Sequence, residues 1–488
     1  MFATKARHGT RITASRVFVK RQSTVATPLR ETRSRASTIA GVGVASFGFG
    51  WYAYHTAHAK DEVKQSAQTT SSLQESPGLS PSAGYPFGFL SPPTPVEVTG
   101  RLTKDTWSVS SPGVEGVSGY DGSRLACNEP CEDRYIHGTF PSPLQPGTSW
   151  MTWGVFDGHL GSQTSQALTQ HLVPYVHAFL SKVNRPSIDD DVIHKAIKAA
   201  FVDLDKAFVL QAQETMDNGD LPFSAKVQRL ATASNGSCAL LSLFDPTSRK
   251  LHVACTGDSR AVLGRQSDDG KWETVPLSID QGGSNEAEAE RIAREHPGEE
   301  GIVKDGRVFG LATARAFGDA HWKWPLELQT YARERFVADV TRANKPEIYK
   351  TPPYITAEPE VTTTVLPPGK RAFMIMASDG LWDSMTSEQA VEMVARWLEW
   401  KSSGKPAVPT PPPKGEKWDK FDWAPYYSTG WKVVDETVTV HDGNAAVHLT
   451  RNALGGAHQD LVSALLSFKP PYARWVRDDI TVQVVFFD

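Results

Sequence analysis

Several short stretches set carboxylates beside turn-forming residues at the mouths of apolar runs. Val155-Phe156 is followed by Asp157-Gly158-His159, and Val253-Ala254-Cys255 leads into Thr256-Gly257-Asp258-Ser259. Met374-Ile375-Met376-Ala377 leads into Ser378-Asp379-Gly380-Leu381-Trp382-Asp383, Asp478-Asp479 open Ile480-Thr481-Val482, and Glu132-Asp133 close the segment CNEPCEDR. One Asp-Gly pair means little, because it is a common turn dipeptide. Acids repeated at the same end of adjoining strands are different: they repel one another unless a cation sits among them. Hard oxygen ligands select Mg²⁺ or Mn²⁺ over zinc or copper. Two such ions about 3.5–4 Å apart share a carboxylate and a water, which loses a proton near neutral pH and attacks phosphorus in line. The chain has no G-x-S-x-G elbow, no HExxH helix and no GxxxxGK[ST] phosphate loop. The spacing therefore implies a divalent-metal hydrolase.

Such a cup needs strands to carry it. Thr148–Phe156, Ser237–Phe244, Lys250–Cys255, Ala261–Gly264, Arg371–Ala377 and Ile480–Phe487 are short β-rich runs bounded by turn residues. Between them, Gln163–Leu180 and Asp190–Gln211 repeat apolar positions at helical spacing, the latter with Val192, Ile193, Ile197, Ala200, Phe201, Leu204 and Phe208 on one stripe. Asn285–Glu295 carries acids early and arginines late, the order a helix dipole favours. Ser387–Leu398 is predicted to be a helix capped by Ser387. The runs 237–244, 250–255 and 261–264 lie too close for helical crossovers, which predicts antiparallel hairpin neighbours. The expected fold is α/β: a layered sandwich of two mainly antiparallel β-sheets flanked by α-helices.

The chain has 488 residues, 40% of them hydrophobic and 22% charged, which excludes a wholly disordered chain, a collagen-like fibre and a polytopic membrane protein. A formal net charge of −4 gives no global positive field to attract nucleic acid. Cys127, Cys131, Cys238 and Cys255 are too few for a disulfide framework and read as buried thiols.

The N-terminus differs in character from the rest. Lys5, Arg7, Arg11, Arg16, Lys20, Arg21, Arg30, Arg33 and Arg35 face a single acid, Glu31, among many Ser and Thr. Residues 1–35 thus have the composition of a mitochondrial presequence, the alternative being a basic arm for nucleic acid or anionic lipid. Residues 36–59 carry no formal charge. As a helix they would span roughly 36 Å, enough for a bilayer core. They read as a single-pass inner-membrane anchor, or as more of a presequence removed on import. Residues 60–98 are expected to be a flexible linker, and the Pro-rich stretch 402–417 a surface insertion.

The segments CNEPCEDR, GVFDGHLG, TGDSRAVLG, ATARAFGD, ASDGLWDS and RDDITVQVVFF, in this order, closely resemble the metal-dependent (type 2C) Ser/Thr protein phosphatases over about residues 99–488. The stretches SNEAEAERIAREHPGEE and TPPYITAEPEVTTTVL bring the likeness nearest to the mitochondrial pyruvate dehydrogenase phosphatase branch. The resemblance implies a phosphoprotein substrate, with the phosphorylated E1α subunit of pyruvate dehydrogenase the best guess, and two Mg²⁺ or Mn²⁺ ions with a third in several relatives. It places Asp157 as the carboxylate bridging two metals, with Glu132 and the Gly158 carbonyl on the second and Asp379 and Asp478 on the first. Asp258 and Asp383 match supports for the third ion, Asp133 an acid that orients water, and His159 a general acid for the leaving oxygen. The flap flanking the cleft would be about residues 282–330. Plainer roles compete: Asp258 as a turn cap, Asp383 as a loop acid, Arg260 and Arg315 as loop braces, Asp479 as structural and Trp382 as core.

Two positions depart from the family pattern. Where many members carry a phosphate-gripping arginine this chain has Asn128, which donates a hydrogen bond but brings no positive charge. Arg134 is the candidate to replace it. Gln281 stands where relatives often carry His. Three readings follow: an active mitochondrial phosphatase, a tethered pseudophosphatase scaffold of the same shape, or an active enzyme facing the intermembrane space with a different substrate.

Overall fold

The computed structural model describes residues 93–183, 189–336, 348–405 and 431–488. The presequence and anchor expectations over 1–59, most of the linker and most of the Pro-rich insertion lie outside those residues. Among the described residues no helix is long and apolar enough to cross a membrane.

Eleven principal strands form two sheets. They are β1 (Thr106–Ser110), β2 (Val117–Leu125), β3 (Arg134–Pro141), β4 (Ser149–Phe156), β5 (Ala239–Asp245), β6 (Lys250–Thr256), β7 (Arg260–Gln266), β8 (Trp272–Pro276), β9 (Glu360–Val365), β10 (Ala372–Ala377) and β11 (Ile480–Phe487). One sheet runs β1-β2-β11-β10-β7-β8 and the other β9-β6-β5-β4-β3. Every neighbouring pair is antiparallel.

The two sheets stack face to face. Met151, Trp153, Val155, Leu240, Val253 and Cys255 of one meet Ala261, Leu263, Met374, Met376, Val485 and Phe487 of the other. The alternate residues of the same strands face outward and are covered too. Phe373, Ile375, Val482 and Val484 pack under the helices Ser387–Ser403 and Ala445–Ala453, and Phe156, Ala239, Leu241 and Leu243 pack under Gln163–Leu180 and Asp190–Asp217. Burial on both faces explains why β4, β5 and β10 read as continuous apolar runs rather than alternating ones.

Three expectations need correction. The runs 250–256 and 260–266 are not hairpin neighbours: β6 pairs with β5 and β9, whereas β7 belongs to the other sheet and pairs with β8 and β10. The link between them turns a corner at Gly257, whose φ of 105° is open to glycine. The second correction concerns a helix start. Thr386, not Ser387, caps the helix Ser387–Ser403, accepting from the Gln389 amide while the Gln389 side chain answers the Thr386 amide in a capping box. Lastly, the segment expected as linker ends in order: Pro95–Leu102 is a helix capped by Thr94 that buries Val98 and Leu102.

The flap region has its own small core of Ile292, Ile302, Val308, Trp322, Tyr349 and Tyr354. The helix Glu286–Glu295 is anchored to it by Glu288. This acid is 4% exposed and held by Arg315 at 2.6 Å and Arg291 at 2.9 Å. Its other face is solvated, as the charge pattern suggests.

Candidate active site

Each acid is carried to the same end of the sandwich by a local device. Asp157 follows the last residue of β4, and its carbonyl accepts from the Cys238 amide at 2.8 Å. Gly158 has to be glycine: a Cβ there would lie 2.4 Å from the Glu132 carbonyl oxygen and 2.8 Å from Ser165 Oγ. Asp258 sits on the corner between the two sheets. That corner is pinned by buried Gln281, whose side chain accepts from the Gly257 amide at 2.9 Å and donates to the Cys255 carbonyl at 3.1 Å. Asp379 opens the one-turn helix Asp379–Trp382 at the end of β10, and Asp383 closes it, donating its amide to the Asp379 carbonyl at 2.8 Å. Asp478 precedes β11, with Oδ1 accepting from the Asp479 amide at 2.7 Å and Oδ2 paired with Arg474.

Asp157, Asp258 and Asp379 each offer a carboxylate oxygen, all within 4.8 Å of one another. Burial, then the facing charges of Asp379, Asp133, Asp478 and Asp258, push Asp157 well above the usual carboxylate range. Burial with Asp478, Asp258 and Asp383 does the same to Asp379. Burial also raises Asp258 and Asp383. Buried carboxyls that face one another are a donor set for a hard divalent cation, which would offset both their burial and their mutual repulsion. The residues present thus fit Mg²⁺ or Mn²⁺.

Asp157, Gly158, His159, Asp258, Asp379 and Asp478 line one cleft of about 660 Å³. Asp383 lines an adjoining hollow of about 410 Å³ that shares Asp258 and Asp379. Glu132, Asp133 and Asn128 are not among the residues that line the cleft. Glu132 accepts from the Gly161 amide and, at 2.6 Å, from the Asn128 side-chain amide. Burial raises the Glu132 carboxyl, with the Gly161 amide opposing. Asp133 is fully buried. Its Oδ2 accepts from Ser378 Oγ at 2.8 Å and Thr481 Oγ1 at 2.6 Å, tying the mouths of β10 and β11 together. Its Oδ1 has no hydrogen-bond partner among the described residues. Burial and the nearby Asp479 push Asp133 up to about 8.

His159 is positioned by three two-residue strands, Gly158–His159, Gly236–Ser237 and Phe317–Gly318, paired side by side. This arrangement brings its Nε2 to 2.8 Å from Oδ2 of the fully buried Asp319. Burial alone would lower the ring, but the Asp319 carboxylate outweighs it and the pKa is raised. Asp319 ends the ATARAFGD segment, and that position in a quoted motif was the only sequence signal for it.

The arginines fall differently from the sequence expectation. Arg134 does not reach the cleft: Nε donates to Gln166 at 2.8 Å and Nη1 to the carbonyls of Cys131 and Asp133, so it braces a loop. Arg260 pairs with Asp280 at 2.5 Å, and Arg315 with Glu288 and Glu360. Asp479 accepts from the amides of Cys127, Asn128 and Glu132 and is structural. Trp382 is 8% exposed and packs in the core. Arg474 and Arg307, which sequence reasoning missed, line the cleft. No strand or motif periodicity marks either one.

A family model described as "Protein phosphatase 2C" matches residues 121–408. A protein phosphatase 2C homolog of Schizosaccharomyces pombe is 40% identical over 405 residues, covering 81% of this chain and 86% of that protein. The mitochondrial [pyruvate dehydrogenase [acetyl-transferring]]-phosphatase 1 of Saccharomyces cerevisiae is 34% identical over 397 residues, covering 76% of this chain and 69% of that protein. Its Homo sapiens namesake is 32% identical over 465 residues, covering 81% and 83%.

Proposed function

The chain belongs to the protein phosphatase 2C family and is a metal-dependent protein Ser/Thr phosphatase; from that premise we propose that it dephosphorylates a mitochondrial phosphoprotein, the E1α subunit of pyruvate dehydrogenase, at the acid-lined cleft. The observation that carries the site reading is the convergence of Asp157, Asp258 and Asp379 within 4.8 Å, beside Asp478 and His159 in one cleft. Mg²⁺ or Mn²⁺ ions held there would supply Lewis-acid charge and an activated water for in-line attack at phosphorus.

The chain's own residues do the remainder. Asp157, Asp379 and Asp478, with the Gly158 carbonyl and Glu132, would hold two such cations. Asp258 and Asp383 border the adjoining hollow and would hold a third ion there. Asp133 Oδ1, buried and without a partner among the described residues, would accept from a water in the site. His159 has Nε2 engaged by Asp319, which leaves Nδ1 to deliver a proton to the departing seryl or threonyl oxygen. The pseudophosphatase reading is disfavoured because every principal acid position is occupied by an acid.

The substrate reading is supported by the names of the mitochondrial relatives and by the basic, acid-poor residues 1–35. The test uses the purified chain with phosphorylated pyruvate dehydrogenase and, separately, a generic phosphoseryl peptide. Phosphate release that survives EDTA, or that is retained in Asp157→Asn, refutes the site reading. Turnover of the peptide with none of E1α refutes the substrate reading alone. Protease protection in intact mitochondria and mitoplasts distinguishes a matrix enzyme from one anchored through residues 36–59 and facing the intermembrane space.

A further inference from the structure

The phosphate on a substrate is a dianion entering a cleft whose floor is acidic, and the chain lacks an arginine at position 128. The Asn128 side-chain amide is engaged with Glu132 at 2.6 Å, so it is not aimed at a ligand. Arg134 is turned onto Gln166 and two carbonyls. Lys432 reaches the Asp383 carbonyl instead of the cleft. Two cations line the cleft itself. Arg307 rises from the flap hairpin Val303–Lys304/Arg307–Val308 and donates one guanidinium nitrogen to the Gly310 carbonyl at 3.2 Å. Arg474 sits on the short 3₁₀ turn Tyr472–Trp475, just before Asp478 and β11.

We propose that Arg474 is the cation that grips the substrate phosphate, doing from the C-terminal side of the site what an arginine at position 128 would do. This inference rests on the phosphatase reading of the cleft. Arg474 lies beside Asp478 and Asp379 on the cleft wall, its side chain 46% exposed and facing the open volume. Among the described residues its sole partner is Asp478, reached through Nη1. The other donors of the guanidinium fork are left for a ligand, and a fork of parallel N–H groups matches two oxygens of a phosphoryl group. Its partner Asp478 lies against Cys127 Sγ at 3.9 Å, which sets Arg474 beside the segment that carries position 128. Asp478 would also help to hold a cation, and a carboxylate so engaged would attract Arg474 less, leaving more of the fork for a phosphate.

Inorganic phosphate is the probe. It is titrated calorimetrically into the full chain loaded with Mn²⁺, and Mn²⁺ affinity is measured in parallel. Arg474→Ala is expected to weaken phosphate binding by about tenfold or more, since charge-assisted bidentate bonds are lost. Arg474→Lys should recover part of the loss, and adding Asn128→Arg to Arg474→Ala should recover most of it. Mn²⁺ affinity should hold or rise but not fall, because the change removes a competing cation and no metal ligand. Unchanged phosphate affinity with altered Mn²⁺ affinity overturns the proposal and leaves Arg474 as a brace for Asp478. A loss in Arg307→Ala with none in Arg474→Ala overturns it in favour of the flap. Circular dichroism verifies folding, and Arg474→Gln, which keeps much of the stem, replaces the alanine variant if that one misfolds. A wild-type chain that binds phosphate through Arg474 yet hydrolyses nothing refutes the phosphatase reading and not this one. A chain that turns over normally while Arg474→Ala binds phosphate as wild type does refutes this one alone.

Discussion

Removing one acid from the cup should stabilise the metal-free protein while abolishing its response to metal. Asp157, Asp258 and Asp379 present oxygens within 4.8 Å of one another. At an effective dielectric constant of about 20, unit charges at that separation repel by about 3.5 kcal/mol per pair. Asp379→Asn deletes two of the three pairs, an upper bound of about 7 kcal/mol. Proton uptake relieves most of this, because Asp157 and Asp379 are raised well above the usual range by burial and by each other. The remaining gain is about 2 kcal/mol near neutral pH, or roughly 2–5 °C in Tm. The pH dependence follows from the sign of the shift. A carboxyl raised in the folded state favours folding at pH below its unfolded value and loses that contribution as pH climbs toward the folded one. In EDTA the wild-type Tm should therefore fall more steeply than that of Asp379→Asn as pH rises above the ordinary carboxylate range. Saturating Mn²⁺ should raise the wild-type Tm, a ligand at about 100 times its Kd contributing about 2.7 kcal/mol, and leave the variant's nearly unmoved. Differential scanning fluorimetry with EDTA or millimolar Mn²⁺ reads both arms. A variant that melts lower than wild type in EDTA, or a wild type indifferent to Mn²⁺, would refute the electrostatic reasoning.

Other perturbations probe the supports of the site. Gly158→Ala forces a Cβ to 2.4 Å from the Glu132 carbonyl, which should destabilise the fold by about 1–3 kcal/mol and reduce metal-dependent turnover to background in a phosphopeptide assay. Gln281→Ala leaves the Gly257 amide and Cys255 carbonyl buried without this partner. A loss of about 1–3 kcal/mol in denaturant melts, with weaker Mn²⁺ binding through the loosened Asp258 corner, is the expected result. His252 and His448 are held down to about 4 by burial. Each contributes stability that is complete above its ordinary value and lost as pH falls toward about 4, about 3 kcal/mol apiece. Urea melts of His448→Gln against wild type should converge as pH is lowered through that window.

Much of the architecture was legible because it rests on local pattern. Gln163–Leu180 and Ile480–Phe487 carry their own periodicity or apolar continuity and have the bounds expected of them. What escaped was set by tertiary context. The step from β6 to β7 is short enough for a hairpin, and nothing local says that Gly257 instead sends the chain into the other sheet. The helix Ala445–Ala453 is buried on all sides although His448, Thr450, Arg451 and Asn452 lie within it, and polar residues taken into the core hide the pattern that marks a helix in sequence. β2 and β3 mix Gly, Ser, Arg and His among their apolar residues and offer little strand signal. At the site, the acids were visible because like charges at strand ends demand an explanation. Asp319 was not, since its function depends on a histidine 160 residues away. Nor was Arg474, whose neighbours Tyr472 and Trp475 read as an ordinary aromatic turn.

The corner at Gly257 has a mechanical consequence. Asp157 hangs from one sheet, Asp379 and Asp478 from the other, and Asp258 from the link that passes between them. A cation held by this group would act as a rivet through the seam of the sandwich. Taking it out would let the rims of the sheets part while their far ends stayed closed. Amide hydrogens at the rim of β4, β6 and β10 would then exchange fastest, and catalysis and the tightness of the sandwich would rise and fall together with the same ion.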